Sequence, residues 1–315
     1  MKNSHSYSQG RKRDEKTADL SAYPRTDLAC EAGPRAKNAP GTVFEEYEKY
    51  GLRITDLHVL REEGERHTGQ ARGRYTTLYC PVIRYWEEVQ IEKTAAVLGA
   101  LLRDYARAAM GKPVGADTRV LVAGLGNRQI TADAVGPRTA DKITVTSHMM
   151  EANDALLQKT GCCSIAAIHP GVTGQTGIEA VTMIQSAAAA LCPDIIVAVD
   201  ALAARSTQRL AATIQMTDTG IRPGSGIGGR LRGICRETVG YPVIAVGVPT
   251  VVDSSTLVYD ALEKAGIQNI DARLQEVLEG GKNFFVSPRD SDVIVEEISS
   301  LLSKGINKAF FAPWA

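Results

Sequence analysis

Two aspartates in this sequence follow short apolar runs. Asp133 comes soon after the run 120–123, and Asp200 ends the run 195–199. If both runs are parallel strands, the two carboxyl groups emerge at one edge of a sheet, where open α/β sheets place their chemistry. Two carboxyl groups in a partly dry cleft do not both ionise easily, so the pair holds one proton and supplies one base and one acid. Such a pair suits the activation of water against a peptide carbonyl.

Other interpretations of these residues stay open at this stage. Asp200 would cap a following helical turn, and Asp133 would cap the helix that begins near Pro137. His169 follows the predicted strand 164–168 and reaches the same sheet edge. A lone histidine there is more often hydrogen-bonded structure than a ligand, but with both aspartates it would complete a site for a divalent metal ion.

Three glycine-rich loops suggest a nucleotide, but each departs from the known motifs. Loop 124–129 has Gln129 where a dinucleotide-binding GxGxxG has its third glycine. Loops 170–177 and 223–229 lack the Lys-Ser/Thr of a P-loop, and Ser225 does not satisfy GxSxG. We therefore predict tight strand-end turns, with contact between backbone and substrate as the alternative. A non-catalytic α/β module that binds peptides also remains possible.

The elements that must position the two aspartates follow from the hydrophobic pattern. The segments 52–60 and 74–79 predict a β-hairpin, and 86–110 a long amphipathic helix. Beyond it, strands alternate with helices, which is typical of a parallel sheet. The predicted strands are 119–123, 164–168, 195–199, 211–216 and 243–247, and the predicted helices are 136–159, 176–191, 255–264 and 293–302.

Composition limits the function classes. The chain has 315 residues, 44% hydrophobic and 23% charged, with a formal net charge of zero, so nothing favours nucleic acid or a membrane surface as a partner. No apolar run is long enough to cross a membrane, and the N-terminus lacks a secretory signal, which predicts a cytoplasmic protein. The six cysteines show no metal-ligand spacing and are expected to be small core residues or free thiols.

The chain resembles the germination proteases of spore-forming bacteria (peptidase family A25), endopeptidases that degrade small acid-soluble spore proteins. The resemblance covers nearly all of residues 26–309. Its motifs occur in one order: GLGN at 124–127 with DAVGP at 133–137, PGV at 170–172 with TGIE at 176–179, VDALAARS at 199–206, TIQ at 213–215, DTGI at 218–221, PGSG at 223–226, GVPTVVD at 247–253, NFFVSP at 283–288 and INKA at 306–309.

The resemblance implies a fold and a reaction. The fold is a three-layer α/β sandwich with a mostly parallel sheet, similar to the hydrogenase-maturation proteases (phosphorylase/hydrolase-like), plus the N-terminal hairpin and helix. The catalytic pair is Asp133 and Asp200, and the candidate supporting residues are Asn127, His169 and Gly226. No cofactor and no metal ligand are assigned, although the family has been classed both as aspartic and as metallo-peptidases. A metal-assisted protease of the maturation type is therefore the alternative.

The resemblance also gives the N-terminal segment a role. Family members remove their own leader at an acidic residue followed by a large apolar one and then Ala-x-Glu. Residues 27–31 read DLACE, which predicts a cut between Asp27 and Leu28. A tethered segment reaches a cleft at high effective concentration, so slow self-processing is expected. Residues 1–27 are then a mobile propeptide, and 28–315 a single peptidase domain, with a hairpin and helix part at about 50–110 and a catalytic core at about 117–310.

The same resemblance implies a homotetramer in the cytoplasm of the forespore and spore core, acting on small acid-soluble spore proteins without direct contact to nucleic acid or membrane. Departures from the family pattern are few. Ala132 stands where proline is more frequent, His169 where a small or apolar residue is usual, and Arg222 where histidine is usual. The region 262–282 is shortened. None of these departures touches the two aspartates.

Overall fold

The computed structural model describes residues 18–19, 27–28, 37, 39–80, 87–151, 161–224, 232–267, 269–280 and 284–311. The strands are β1 Ala18–Asp19, β2 Thr42–Lys49, β3 Leu52–Val59, β4 Gly73–Tyr79, β5 Arg119–Gly124, β6 Ser164–Ile168, β7 Ile195–Ala204, β8 Thr213–Thr217, β9 Val243–Asp253, β10 Asn269–Ile270 and β11 Phe285–Val286. The helices are α1 Glu62–Thr68, α2 Glu88–Met110, α3 Val135–Ala140, α4 Ser147–Glu151, α5 Thr173–Thr176, α6 Ala180–Leu191, α7 Arg236–Val239, α8 Ser254–Lys264, α9 Ala272–Gly280 and α10 Ser291–Phe310.

One mixed sheet of nine strands forms the centre of the described structure, in the order β2-β3-β4-β8-β9-β7-β5-β6 with β11 beside β9. The half that contains β9, β7, β5 and β6 is parallel. Its central strands are apolar on both faces, as expected for parallel strands covered on each side. The α/β prediction and its parallel core are confirmed.

The other half of the sheet is antiparallel and corrects two expectations. The predicted hairpin forms as the antiparallel pair β3 and β4, with α1 between them, but β4 also pairs with β8. The hairpin is therefore part of the main sheet and not an appendage. Strand β8, predicted among the parallel strands, is antiparallel to both β4 and β9. The short connection 205–212 carries no full crossover helix, and a parallel strand needs such a crossover.

Two apolar layers enclose the parallel half, because side chains alternate between the faces of a strand. Val120 and Val122 pack with residues of α2 and α10 on one face. Leu121 and Ala123 pack with α6 on the other. The result is helix, sheet and helix in three layers, as predicted.

The helix predicted over 136–159 is broken. It consists of α3 and α4, and its remainder, 152–159, lies outside the described residues. The break falls on the β-branched run 143–146, which disfavours helix. There Thr146 donates its N–H to the Ile165 carbonyl and its hydroxyl to the Cys163 carbonyl, so contact with β6 replaces the helical bonds. The predicted helix 293–302 is longer, Ser291–Phe310.

The five described cysteines are free thiols, three of them buried, in agreement with the composition. The described residues of the N-terminal segment contact the rest of the structure at two places. Residues of β1 pair with β10, and Asp27 and Leu28 lie against the end of β7.

Candidate active site

Asp200 lies inside β7 and not at its end. Strand β5 pairs with β7 only as far as Val199, whereas β7 continues beside β9 to Ala204. Asp200 is therefore the first residue past the β5 ladder, and its side chain is only 4% exposed. Its Oδ1 accepts a 2.9 Å bond from the N–H of Ala201. The interpretation of Asp200 as a helix cap is wrong, because residues 201–204 continue the strand.

Asp133 ends a 3₁₀ turn, Thr131–Asp133, in the loop that follows β5. Two bonds hold this turn: the N–H of Asn127 donates to Asp133 Oδ2 at 2.7 Å, and the Thr250 hydroxyl donates to the Ala132 carbonyl at 2.6 Å. Asp133 does not cap α3, whose cap residue is Ala134. The carboxyl group is instead fixed by a loop at the carboxyl end of β5 and by β9.

Two glycines allow this loop to approach the sheet. Gly126 has a φ of 108°, a region that favours glycine, and a Cβ there would collide with the Asp133 carbonyl oxygen. A Cβ on Gly136 would collide with the carbonyl oxygens of Leu125 and Val199. The tight turn predicted for loop 124–129 is confirmed at Gly126, whereas Gly136 meets only the requirement for close backbone approach.

The two carboxyl groups influence each other. Burial raises the pKa of Asp133, and the N–H of Asn127 opposes that shift. The pKa of Asp200 is raised well above its ordinary value, first by burial, then by the negative charge of Asp133 and, less, by that of Asp27. Asp133 therefore ionises first, and Asp200 holds the proton of the pair.

The Asp27–Leu28 segment docks on β7 just beyond Asp200. The N–H of Asp27 donates to the Ala203 carbonyl at 3.0 Å, and the N–H of Ala203 donates to Asp27 Oδ2 at 2.9 Å. Leu28 is fully buried in an apolar cluster with Leu202, Ala204 and Val252. This is the segment that the resemblance predicts to be cut.

Gln215 of β8 reaches the same segment. Its Nε2 donates to the Asp27 carbonyl oxygen at 3.0 Å. Sequence reasoning missed Gln215 and the backbone of Ala203 as site groups. A signal existed for Gln215, since it is a large polar residue inside the buried strand Thr213–Thr217. The backbone contact from Ala203 had no such signal, because every residue except proline supplies a backbone N–H.

A cavity of about 580 Å³ adjoins the docked segment. The residues that line it include Asp27, Tyr75 of β4, Thr217 of β8, and Ala245 and Gly247 of β9. Leu28 packs instead in its apolar cluster. Leu202, a member of that cluster, also lines the cavity, so the cavity and the Leu28 pocket adjoin each other.

The three supporting candidates have different positions. Asn127 bonds Asp133 through its N–H, and its Oδ1 accepts from Gln129 and Gln175. His169 is half exposed, and its Nε2 lies 3.8 Å from Asp141 Oδ1. Gly226 lies outside the described residues.

The structure does not bring His169 together with the two aspartates. Within the described ranges, no group of three His, Cys, Asp or Glu side chains is arranged to hold a metal ion. The metal set that the sequence left open is therefore not assembled by these residues. None of the described helices has the length and apolar character needed to span a membrane.

A family model and individual known proteins both relate this chain to the same family. The family model for germination protease matches residues 26–265. A germination protease of Caldanaerobacter subterraneus subsp. tengcongensis is 36% identical over 310 residues, covering 90% of this chain and 93% of that protein. The germination protease of Clostridium tetani is 35% identical and covers 90% of this chain and 94% of its own length. That of Priestia megaterium is 40% identical and covers 79% of this chain and 69% of its own length.

Among solved structures, the [NiFe] hydrogenase maturation protease HycI from Thermococcus kodakarensis KOD1 aligns with 66% of this chain and 99% of that chain. The TM-score is 0.31 and the sequence identity 16%, a likeness that supports no argument about function.

Proposed function

The chain belongs to the germination protease family, and from that premise we propose that it is an endopeptidase that uses Asp133 and Asp200 to degrade small acid-soluble spore proteins during germination. Family membership supports the protease function. The observation that supports the assignment of the site is the docking of Asp27 and Leu28, a substrate-like acidic and apolar pair, on β7 beside Asp200.

The two carboxyl groups divide the chemistry of hydrolysis. Ionised Asp133 takes a proton from water while the water oxygen bonds to the carbonyl carbon of the substrate's acidic residue. Asp200 then gives its proton to the leaving nitrogen as the C–N bond breaks. The products are a new carboxyl group and a new amine. The pKa of Asp200 is raised more than that of Asp133, by burial and by the charge of Asp133, which suits Asp200 as the acid and Asp133 as the base.

Recognition of the substrate follows from the docked segment. The N–H of Ala203 binds the carboxylate of the acidic residue, and Leu202, Ala204 and Val252 receive the large apolar residue that follows. The substrate carboxylate also favours the protonated form of Asp200, since the charge of Asp27 raises the pKa of that group. The cavity next to Asp27 receives the residues that precede the cleaved bond.

The chain is made as a zymogen in this proposal. Asp27, the last residue of the segment 1–27, occupies the substrate position, and the segment is removed by cleavage between Asp27 and Leu28. The tether keeps the segment at high effective concentration, so external substrates are excluded until it leaves. The active form is a homotetramer in the cytoplasm of the forespore and spore core. Light scattering tests the assembly, because the particle mass gives the number of chains.

Intact-mass analysis over time tests this function on the purified full chain. We expect a product that begins at Leu28, and none from Asp133→Asn or Asp200→Asn. Asp104→Asn is the matched control, since Asp104 is an exposed aspartate on α2 that lies 3.7 Å from Arg107. Self-processing at the normal rate in either folded site variant would refute the catalytic pair.

A further inference from the structure

Gln215 is a buried side chain that the reaction above does not use. It is 6% exposed and lies in β8, which pairs on both sides with β4 and β9. A buried amide needs hydrogen-bond partners, since leaving it unpaired is costly. Its Nε2 donates to the Asp27 carbonyl, which belongs to the bond proposed for cleavage.

A row across the sheet explains how Gln215 reaches that carbonyl. Asp200 of β7 and Gln215 of β8 are each in register with Gly247 of β9. Residues directly opposite each other share one face, so Asp200 and Gln215 flank Gly247. Strands lie about 4.8 Å apart, which separates the two flanking backbones by about 10 Å. Because Gly247 has no side chain, Leu202 packs over it, 2.5 Å from where a Cβ would lie. The Asp27 carbonyl oxygen comes within 3.0 Å of Gln215 Nε2.

We infer that Gln215 is a further catalytic residue, whose side-chain amide stabilises the oxyanion that forms on the scissile carbonyl. This inference rests on the proposed function. When the water oxygen bonds to the carbonyl carbon, the π electron pair moves to the carbonyl oxygen, where Gln215 Nε2–H already donates. When the C–N bond breaks, that pair restores the carbonyl, and the leaving nitrogen takes its proton from Asp200.

The position of the donor is fixed before the reaction. Gln215 projects from a buried strand held by ladders on both sides, so its amide does not need to reorganise as charge develops. Donors arranged in this way stabilise the transition state more than the substrate. Removal of one such donor lowers the rate by about 10²- to 10³-fold.

The first-order rate of self-processing in the full chain tests the inference. Gln215→Met keeps the length of the side chain and removes the donor, and we expect a rate about 10²- to 10³-fold lower. Gln208→Met is the matched control, because the Gln208 side chain is exposed in the turn Thr207–Arg209, and its rate should equal that of the wild type. Thermal melting establishes that each variant is folded.

Gln215→Glu separates catalysis from a structural role. Its carboxylate accepts but does not donate, whereas its protonated form donates again. The rate relative to wild type at each pH should therefore recover as the pH falls. A folded Gln215→Met with wild-type rate, or a Gln215→Glu ratio that stays flat with pH, would overturn the role of Gln215 alone. A wild-type chain that never processes itself would overturn the proposed function and this inference together.

Discussion

The N–H of Ala203 donates a 2.9 Å hydrogen bond to the carboxylate of Asp27. Ala203 lies on β7, three residues beyond Asp200. A reciprocal bond of 3.0 Å runs from the N–H of Asp27 to the Ala203 carbonyl. The segment is therefore attached to the strand that carries a proposed catalytic group. Strand β5 pairs with β7 only as far as Val199. Beyond that residue, no other described strand takes the place of β5 beside β7.

Truncation of Asp27 should slow self-processing. Asp27→Ala removes a charge-assisted bond worth about 1.5–3 kcal/mol, which corresponds to roughly a 10- to 100-fold lower rate. The rate is measured by intact mass over time. Asp104→Ala, at an exposed aspartate, is the control and should process normally. An unchanged rate in Asp27→Ala would show that its carboxylate does not position the bond.

Leu28 provides an independent test of docking. It is fully buried, so Leu28→Ala loses apolar contact worth about 2 kcal/mol and should process roughly 30-fold more slowly. Leu60→Ala is the matched control, since Leu60 is 58% exposed. Equal rates for the two variants would contradict a specific apolar pocket for this residue.

Asp200→Asn should stabilise the fold at neutral pH while it abolishes cleavage. The pKa of Asp200 is raised in the folded state by burial and by Asp133, so the folded wild type retains a proton that the unfolded chain loses near pH 4. The wild type therefore loses stability as the pH rises from the unfolded-state pKa through the folded-state pKa.

The asparagine variant lacks that loss. We expect its melting temperature to exceed that of the wild type by a few degrees at pH 7 and the gap to close below about pH 4. Thermal melts at several pH values measure the difference. A variant that is less stable than the wild type at pH 7 would show that the charge of Asp200 is compensated in the fold.

Gly126→Ala should impair catalysis by moving Asp133. The substitution forces a side chain to a φ of 108° and against the backbone of Asp133, whose Oδ1 would lie 2.9 Å from the new Cβ. A displacement of about 1 Å at a reactive group costs roughly 100-fold in rate. Gly174→Ala is the control, because a Cβ there meets open space without positive φ. The rates of self-processing are measured for both variants, and thermal melts establish that each is folded. Equal rates would show that position 126 does not require glycine.

Asp56→Ala tests a part of the fold away from the site. Asp56 is 4% exposed and accepts bonds from Arg74 at 3.0 Å, Tyr47 at 3.1 Å and Thr76. Its removal leaves the cation of Arg74 without this partner, which costs about 3–5 kcal/mol. Urea unfolding measures that loss. Asp104→Ala is the control and should change the free energy of unfolding by less than about 0.5 kcal/mol. An equally small change for Asp56→Ala would show that the Asp56–Arg74 ion pair does not stabilise the fold.

The sequence by itself determined the local parts of the site. The apolar runs that became β5 and β7, the aspartates near their ends and the glycines that shape the loop after β5 all follow from short-range pattern. The motifs also supplied the resemblance and the Asp27–Leu28 bond. These features are readable because strand period and glycine chemistry act over a few residues.

Only the tertiary structure decided how distant segments meet. Asp200 and Gln215 flank Gly247 because β7 and β8, although close in the sequence, both pair with the later strand β9 in one register. Likewise His169 contacts Asp141, although the sequence placed it equally well beside the aspartates. Register and the direction of β8 depend on non-local packing and on the length of the connections, so no local pattern in the chain specifies them.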